Sequence, residues 1–279
     1  MLEPYLSEQN RYQILQLLGK GSSSQVYLVR EYGTEKDYAM KVNSNKEQLS
    51  AESEILKKLS GSYFPEWKDY FEAENACLVM EYIEGPTLQT FLEKHGAVKE
   101  NVARGIMKDI LQALGQLHHM EPAVLYRDLK PENIMIRKNG KICMIDLGGA
   151  VSKGYRVGSY GYGAPEQFWE GVALGPECDL YAAGKVLAYL LTGKNPCLPP
   201  YDMMTYCEKD KKITPSIFCV LQRSMATDIW GRYDSVESFQ KDMENAMDVS
   251  AGKRRNKKGK KRQIIYEKCI WKSEYQRIF

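Results

Sequence analysis

The sequence predicts an α+β protein of two lobes: a small antiparallel β-sheet lobe carrying one helix, then a larger, mainly α-helical lobe. Three observations predict it. The first ninety residues hold short runs rich in Val, Ile, Leu and Tyr, divided by Gly-rich or polar turns. After residue 87 the apolar spacing changes to the helical period. Gly85-Pro86 breaks the chain where the change occurs, so the lobes join near Glu81–Gly85. With 279 residues, 43% apolar and 27% charged, the composition is globular and excludes collagen, coiled coil and disorder. No run approaches the ~18 apolar residues of a membrane span, and Met1–Gln13 lacks the basic-then-apolar layout of a secretory signal. The seven cysteines are odd in number, scattered and without a C-x-x-C pair, which speaks for reduced thiols rather than zinc or a disulfide framework.

Taken in order, Tyr12–Leu18, Gln25–Glu31 and Asp37–Asn43 read as strands. A helix follows, with Ser44 and Glu47 as its expected capping box and Leu49, Leu56 and Leu59 on its apolar face. Strand signals resume near Tyr70–Phe71 and at Cys77–Ile83. Beyond the break, Val102, Ile106, Ile110, Leu114 and Leu117 line one face of a long helix. A loop with short strands runs from about Val124 to Met144. Leu180, Ala183, Leu187, Leu190 and Leu191 mark a buried helix stopped by Gly193 and Pro196, and helical patterns recur near 215–225 and 235–247.

Two local features point to phosphate. Gly19-Lys20-Gly21-Ser22-Ser23-Ser24-Gln25-Val26 places glycines where backbone N–H groups can approach phosphate oxygens. A dinucleotide fingerprint would need a helix next, whereas Gln25–Glu31 reads as a strand, so the expectation is strand–loop–strand. Lys41 lies within the apolar strand Tyr38–Val42, a costly place for an unpaired ammonium. Glu52 is its expected partner, because it shares the helix face of Leu49, Leu56 and Leu59 while Glu54 lies about 200° further round, towards solvent.

The densest chemistry is Leu125-Tyr126-Arg127-Asp128-Leu129-Lys130-Pro131-Glu132-Asn133-Ile134-Met135. Asp128 can orient a hydroxyl and accept its proton, Lys130 can neutralise charge on a transferring phosphate, and Asn133 offers an oxygen to a hard cation. Thirteen residues beyond Asn133, Ile145-Asp146-Leu147-Gly148 aims a second oxygen ligand, Asp146, from a strand end.

Together these motifs resemble the protein kinase family, Ser/Thr type, including bacterial eukaryotic-like Ser/Thr kinases. Gly19 and Gly21 resemble the glycine-rich loop, Lys41 the third-strand lysine, and Glu52 its helix partner. Tyr126-Arg127-Asp128 stands where His-Arg-Asp is commoner, Asp146-Leu147-Gly148 where Asp-Phe-Gly is commoner, and Gly163-Ala164-Pro165-Glu166 matches the Ala-Pro-Glu motif. Asp179 resembles the aspartate that braces the catalytic loop, and Arg232 the arginine that pairs with Glu166. The resemblance implies a catalytic domain over 10–248, with a small lobe of 10–82, a large lobe of 86–248 and a basic tail at 249–279. It implies ATP and Mg²⁺, with Mn²⁺ able to substitute, as cofactors. Lys41, Glu52, Asp128 and Lys130 would be catalytic, and Asn133 and Asp146 would hold metal. The adenine slot would be lined by Leu18, Val26, Ala39 and Met135, with Met80 as gatekeeper and the backbone of Glu81 and Ile83 bonding the base. The phosphates would meet Gly19, Lys20, Gly21, Ser22, Ser23 and Ser24. The expected reaction moves the γ-phosphate of ATP to Ser or Thr hydroxyls of protein substrates. The rivals are a kinase-like small-molecule phosphotransferase and a non-catalytic nucleotide-binding scaffold.

Residues 149–163 contain no threonine, which leaves Ser152 and Tyr155 as phosphoacceptors, or Lys153 and Arg156 as substitutes for a phosphate switch. The net charge of +3 hides an asymmetry: residues 253–279 hold 11 Lys/Arg and 2 Asp/Glu. Lys253–Arg262 carries eight basic residues in ten, read either as a solvated, disordered tether or as a contact for an anionic membrane surface in preference to nucleic acid. The expected location is cytoplasmic, with peripheral attachment at the inner membrane face.

Overall fold

The computed structural model describes residues 11–21, 23–152, 157–199 and 202–252, with 247–252 described by backbone alone. In chain order the strands and helices are β1 (Tyr12–Lys20), β2 (Ser24–Glu31), β3 (Asp37–Asn43), α1 (Lys46–Lys58), β4 (Trp67–Glu72), β5 (Ala76–Glu81), α2 (Leu88–His95), α3 (Glu100–His118), β6 (Ile134–Ile136), β7 (Ile142–Met144), α4 (Gly148–Val151), α5 (Glu177–Thr192), α6 (Met203–Lys209), α7 (Pro215–Ser224) and α8 (Val236–Gly252). The chain divides into two units, Met1–Glu84 with Cys143–Lys153, and Gly85–Ile142 with Gly154–Phe279.

The first unit is a five-stranded antiparallel sheet of order β1-β2-β3-β5-β4. Residues directly opposite one another share a face, so the register assigns every side chain. Tyr27, Val29, Met40, Val42, Cys77 and Val79 pack with Tyr12 into a core on one face. Each such fully buried side chain contributes about 1.5–3 kcal/mol. Val26, Ala39, Lys41, Leu78 and Met80 fall on the opposite face, because Val26 and Leu78 pair with Lys41, and Met80 pairs with Ala39. Two bulges in β1, between Ile14 and Gln16 and between Leu17 and Gly19, break its alternation and leave Leu15, Leu17 and Leu18 exposed.

The cap of α1 differs from the sequence expectation. Asn45, not Ser44, caps the helix: its side-chain oxygen accepts the Gln48 N–H at 3.0 Å. Asn43 Oδ1 in turn accepts the Asn45 N–H at 2.9 Å, which starts the helix one residue later than a Ser44–Glu47 box would. Trp67 Nε1 donates to Ser53 Oγ at 2.9 Å and ties α1 to β4.

The second unit is helical. α3 buries Ile106, Ile110, Leu114 and Leu117, and α5 is buried along almost its whole length. These two pack on each other and on α7 and α8, where Tyr233 stacks on Phe239 with ring centroids 4.4 Å apart. α5 ends at Gly193 in the left-handed region, φ 66°. A Cβ there would lie 2.8 Å from the Ala97 backbone nitrogen, so this stop needs glycine for two reasons. The three short helices α2, α4 and α6 have no counterpart in the sequence reading. α2 is two turns long, entered from Gly85-Pro86 and capped by Thr87 Oγ1, which accepts the Thr90 N–H at 3.1 Å. Among the described residues no helix is long and apolar enough to cross a membrane.

Candidate active site

In the first unit, Lys41 Nζ lies 2.8 Å from both carboxylate oxygens of Glu52 and 2.8 Å from Asp146 Oδ1. The β3 register turns Lys41 away from the core face, and the inner face of α1 presents Glu52, while Glu54 is exposed. The Lys41 and Glu52 side chains are 6% and 4% exposed, but that of Asp146 is 42% exposed, so the cluster reaches solvent through Asp146. Burial by itself lowers the Lys41 pKa, and the two carboxylates outweigh it, leaving the ammonium firmly protonated. The Leu147 N–H donates to Glu52 Oε1 at 3.3 Å and the Gly148 N–H to Asp146 Oδ1 at 2.8 Å. A Cβ on Gly148 would lie 3.0 Å from that same Asp146 oxygen, so a larger residue here would press on the carboxylate.

The glycine-rich segment is strand–loop–strand. Gly19 and Lys20 end β1, Ser24 opens β2, and the Gly21 N–H closes the loop on the Ser24 carbonyl at 2.8 Å. Ser23 is exposed, and Ser22 lies outside the described residues. Val26, Ala39 and Met80 share the sheet face of Lys41. Leu18 sits in the second bulge, 39% exposed. The Glu81 N–H is taken by the Glu66 carbonyl at 2.8 Å, so an adenine contact at Glu81 falls to its carbonyl. Ile83 is buried.

In the second unit, Asp128, Lys130, Asn133 and Ser159 converge. Ser159 Oγ donates to Asp128 Oδ1 at 2.7 Å, and Lys130 Nζ donates to Asp128 Oδ2 at 2.9 Å and to Ser159 Oγ at 2.6 Å. The Asn133 amide nitrogen donates to the Asp128 carbonyl at 2.9 Å and to Oδ2 at 3.2 Å. Both amide hydrogens are thereby directed at Asp128, and the amide oxygen is the acceptor left to face a ligand. Met135 lies on β6 and pairs with Thr87.

A strained backbone presents this loop. Arg127 has φ 67°, in the left-handed region that favours glycine. Asp179, fully buried at the start of α5, accepts the Tyr126 and Arg127 N–H groups at 2.8 and 2.7 Å and also bonds His118 Nε2 at 2.8 Å. Gln167 clamps the other side: its amide donates to the Arg127 carbonyl at 2.7 Å and to the Val157 carbonyl at 2.5 Å. Such a conformer costs roughly 1–3 kcal/mol and persists only when neighbours over-determine it. Arg232 makes a two-pronged, fully buried pair with Glu166 at 2.6 and 3.0 Å.

Sequence reasoning missed Gln167, whose partners are the backbone carbonyls of Arg127 and Val157. It also missed Gln48, whose amide donates to the Gly148 carbonyl at 3.4 Å and to Ser152 Oγ at 3.3 Å. Ser152 Oγ already donates to that carbonyl at 2.6 Å. Lys153, Tyr155, Arg156 and the basic segment 253–262 lie outside the described residues.

Asp146 in the first unit and Asn133 in the second each carry an oxygen of the kind a hard cation accepts. Among the described residues no group of three or more His, Cys, Asp and Glu could hold a metal by itself.

Comparison with known proteins agrees with this geometry. The family model described as a protein kinase domain matches residues 12–277. The serine/threonine-protein kinase PrkC of Bacillus subtilis is 29% identical over 267 residues, covering 86% of this chain and 41% of that protein. Mitogen-activated protein kinase kinase 1 of Arabidopsis thaliana is 31% identical over 204 residues, covering 67% of this chain and 56% of that protein. The chain thus spans about half the length of the curated relatives it matches. The kinase domain of Mycobacterium tuberculosis PknI shares the fold, with TM-score 0.68 and 22% identity over 84% of this chain and 96% of that one. The sheet with its paired lysine, the strained loop around Asp128 and the match across nearly the whole chain agree: this chain belongs to the protein kinase family.

Proposed function

We propose that the chain is an ATP-dependent protein Ser/Thr kinase. One observation carries the reading. A serine hydroxyl of the chain itself, that of Ser159, already donates to Asp128 Oδ1 at 2.7 Å while Lys130 contacts both groups. Asp128 is therefore a preformed acceptor for a serine-type hydroxyl, the task of the base that orients an incoming alcohol.

The roles follow from the chemistry of each group. Lys41, kept charged and fixed by Glu52, grips the α- and β-phosphates. Asp146 and the oxygen of Asn133 would hold Mg²⁺, or Mn²⁺ in its place. The ion, when bound, offsets charge on the phosphates. On this reading the backbone of Gly19, Lys20, Gly21 and Ser24 would meet the phosphates, and the adenine-lining role would fall to Leu18, Val26, Ala39, Met80 and Met135, with the backbone of Glu81 and Ile83 bonding the base. Asp128 orients the substrate hydroxyl and accepts its proton, and Lys130 neutralises charge that develops on the transferring group. The Glu166–Arg232 pair favours a protein substrate over a small molecule, because it braces the Gly158–Glu166 segment that carries Ser159.

One assay tests this reading. With ATP, Mg²⁺ and a generic protein substrate, Asp128→Ala should lower phosphate transfer by roughly 10²–10⁴-fold. Equal transfer by the two proteins overturns the mechanism. For the segment 253–262 we propose an anionic membrane surface as partner, on its charge alone. Sedimentation with phosphatidylserine vesicles should then fall when 253–279 is removed and fall again at higher salt. No difference between the two chains removes the membrane from the reading.

A further inference from the structure

Gln167 is 1% exposed, and its carboxamide commits both donors and its oxygen to backbone. The amide nitrogen donates to the Arg127 carbonyl at 2.7 Å and to the Val157 carbonyl at 2.5 Å, and the amide oxygen accepts the Ala164 N–H at 2.9 Å. Among side chains, only asparagine and glutamine join two donors and an acceptor in one planar, uncharged group. Arg127 immediately precedes Asp128. Val157 and Ala164 lie on either side of Ser159, whose hydroxyl donates to Asp128 Oδ1 at 2.7 Å.

These three bonds fall on the parts that aim the hydroxyl site. The Arg127 carbonyl and the Asp128 N–H belong to one peptide unit, and that N–H donates to the Tyr126 carbonyl at 2.9 Å. Both polar atoms of the unit are therefore held, which fixes the plane from which Asp128 projects. On the other side, the chain from Val157 to Ala164 is fastened to Gln167 at both ends. Within it the Tyr162 and Gly163 N–H groups turn back onto the Ser159 carbonyl at 3.1 and 2.8 Å. Gly158 leaves room for the amide: it has φ 148°, and a Cβ there would lie 2.8 Å from Gln167 Nε2 and 3.4 Å from the Arg127 carbonyl oxygen. A residue that only closed its own turn would bond Ala164 and stop there, whereas Gln167 reaches Arg127, 40 residues away in sequence.

We propose that Gln167 is a positioning residue for phosphate transfer. Through the Arg127 carbonyl it sets the direction of Asp128, and through Val157 and Ala164 it sets the segment that brings a hydroxyl to Asp128. One side chain thus fixes the two sides of the hydroxyl site against each other. The proposal rests on the kinase reading above and adds a residue that acts on the reaction without touching the reacting atoms.

The test assays the full chain with ATP, Mg²⁺ and a generic protein substrate, with rates normalised to folded protein. Gln167→Leu removes both donors and should lower kcat roughly 10–10²-fold with the KM for ATP unchanged, the scale of a misaimed reacting group. In Gln167→Glu a carboxylate would face two carbonyls. Burial there favours the protonated form, which donates once, so the loss relative to the unmodified chain should shrink as pH falls from about 8.5 to about 6. Gly158→Ala keeps the amide but crowds it, and should lower kcat in the same way; it decides the question if neither Gln167 variant folds. A kcat equal to that of the unmodified chain in Gln167→Leu, or in Gly158→Ala where that is the variant that folds, overturns the positioning role. A Gln167→Glu loss that stays constant with pH overturns it too. If the unmodified chain transfers no phosphate, the kinase reading falls and the role falls with it. If the unmodified chain transfers phosphate and the variants match it, the role alone falls.

Discussion

Two buried cations, one in each unit, each meet a buried glutamate, and the molecule uses them differently. Arg232 spends its guanidinium on both Glu166 oxygens and on the carbonyls of Ala226 and Thr227, at 2.6 to 3.2 Å. Both side chains are sealed, at 0% and 3% exposure. Lys41 also meets its glutamate at 2.8 Å, but its third contact is Asp146, whose side chain is 42% exposed. A closed pair whose guanidinium makes four hydrogen bonds holds a fold together. A pair that opens to solvent through a third, shared carboxylate can exchange that partner for an anionic ligand. The side chains suit the two tasks: the planar fork of arginine locks two oxygens at once, and the ammonium of lysine is a point charge that can be redirected.

Substitutions break this contrast in opposite directions. Lys41→Met should show the largest effect, lowering phosphate transfer by roughly 10²–10³-fold, as expected when a preorganised positive group is lost at a reacting phosphate. Its melting temperature should move less than that of Arg232→Met, because Asp146 reaches solvent and Glu52 can take up a proton. Arg232→Met strands Glu166 as a buried, uncompensated charge, at a cost of about 3–5 kcal/mol. Its melting temperature should drop by about 10 °C, read by differential scanning fluorimetry, while the protein that stays folded keeps transferring phosphate. If both substitutions shift melting and transfer alike, the distinction between an open and a closed pair is wrong. The smallest effect is that of pH. The Lys41 pKa is raised above the ordinary lysine value of 10.5, so its ion pair is fully present below that value and is lost only as pH rises through the higher, folded value. Melting curves of Lys41→Met and the unmodified chain should therefore keep a constant separation from pH 7 to about pH 10 and converge above it.

Much of the site was legible because its residues contradict their surroundings. A lysine in an apolar strand and a glutamate on an apolar helix face each announce a partner, and in the structure they meet at 2.8 Å. The loop carrying Asp128, Lys130 and Asn133 was legible because three polar chemical groups crowd into six residues. Gln167 was not legible, because its partners, the carbonyls of Arg127 and Val157, are backbone groups that leave no trace in residue type. The helices α2 and α6 escaped notice because two turns hold too few apolar positions to set a period. The α1 cap moved by one residue because Asn43, at the end of a strand, competes for the backbone N–H that decides where the helix begins.

By itself the sequence determined which residues carry charge, where strand gives way to helix, and the order of the phosphate and hydroxyl chemistry along the chain. Period, turn residues and the cost of burying a charge are local properties, and they act over a few residues. Only the tertiary structure decided that Asp146 joins Lys41 from 105 residues away, that Asp179 and Gln167 hold Arg127 in its strained turn, and that Ser159 closes on Asp128. Those contacts are set by register, packing and the orientation of single hydrogen bonds, which depend on where distant segments come to rest.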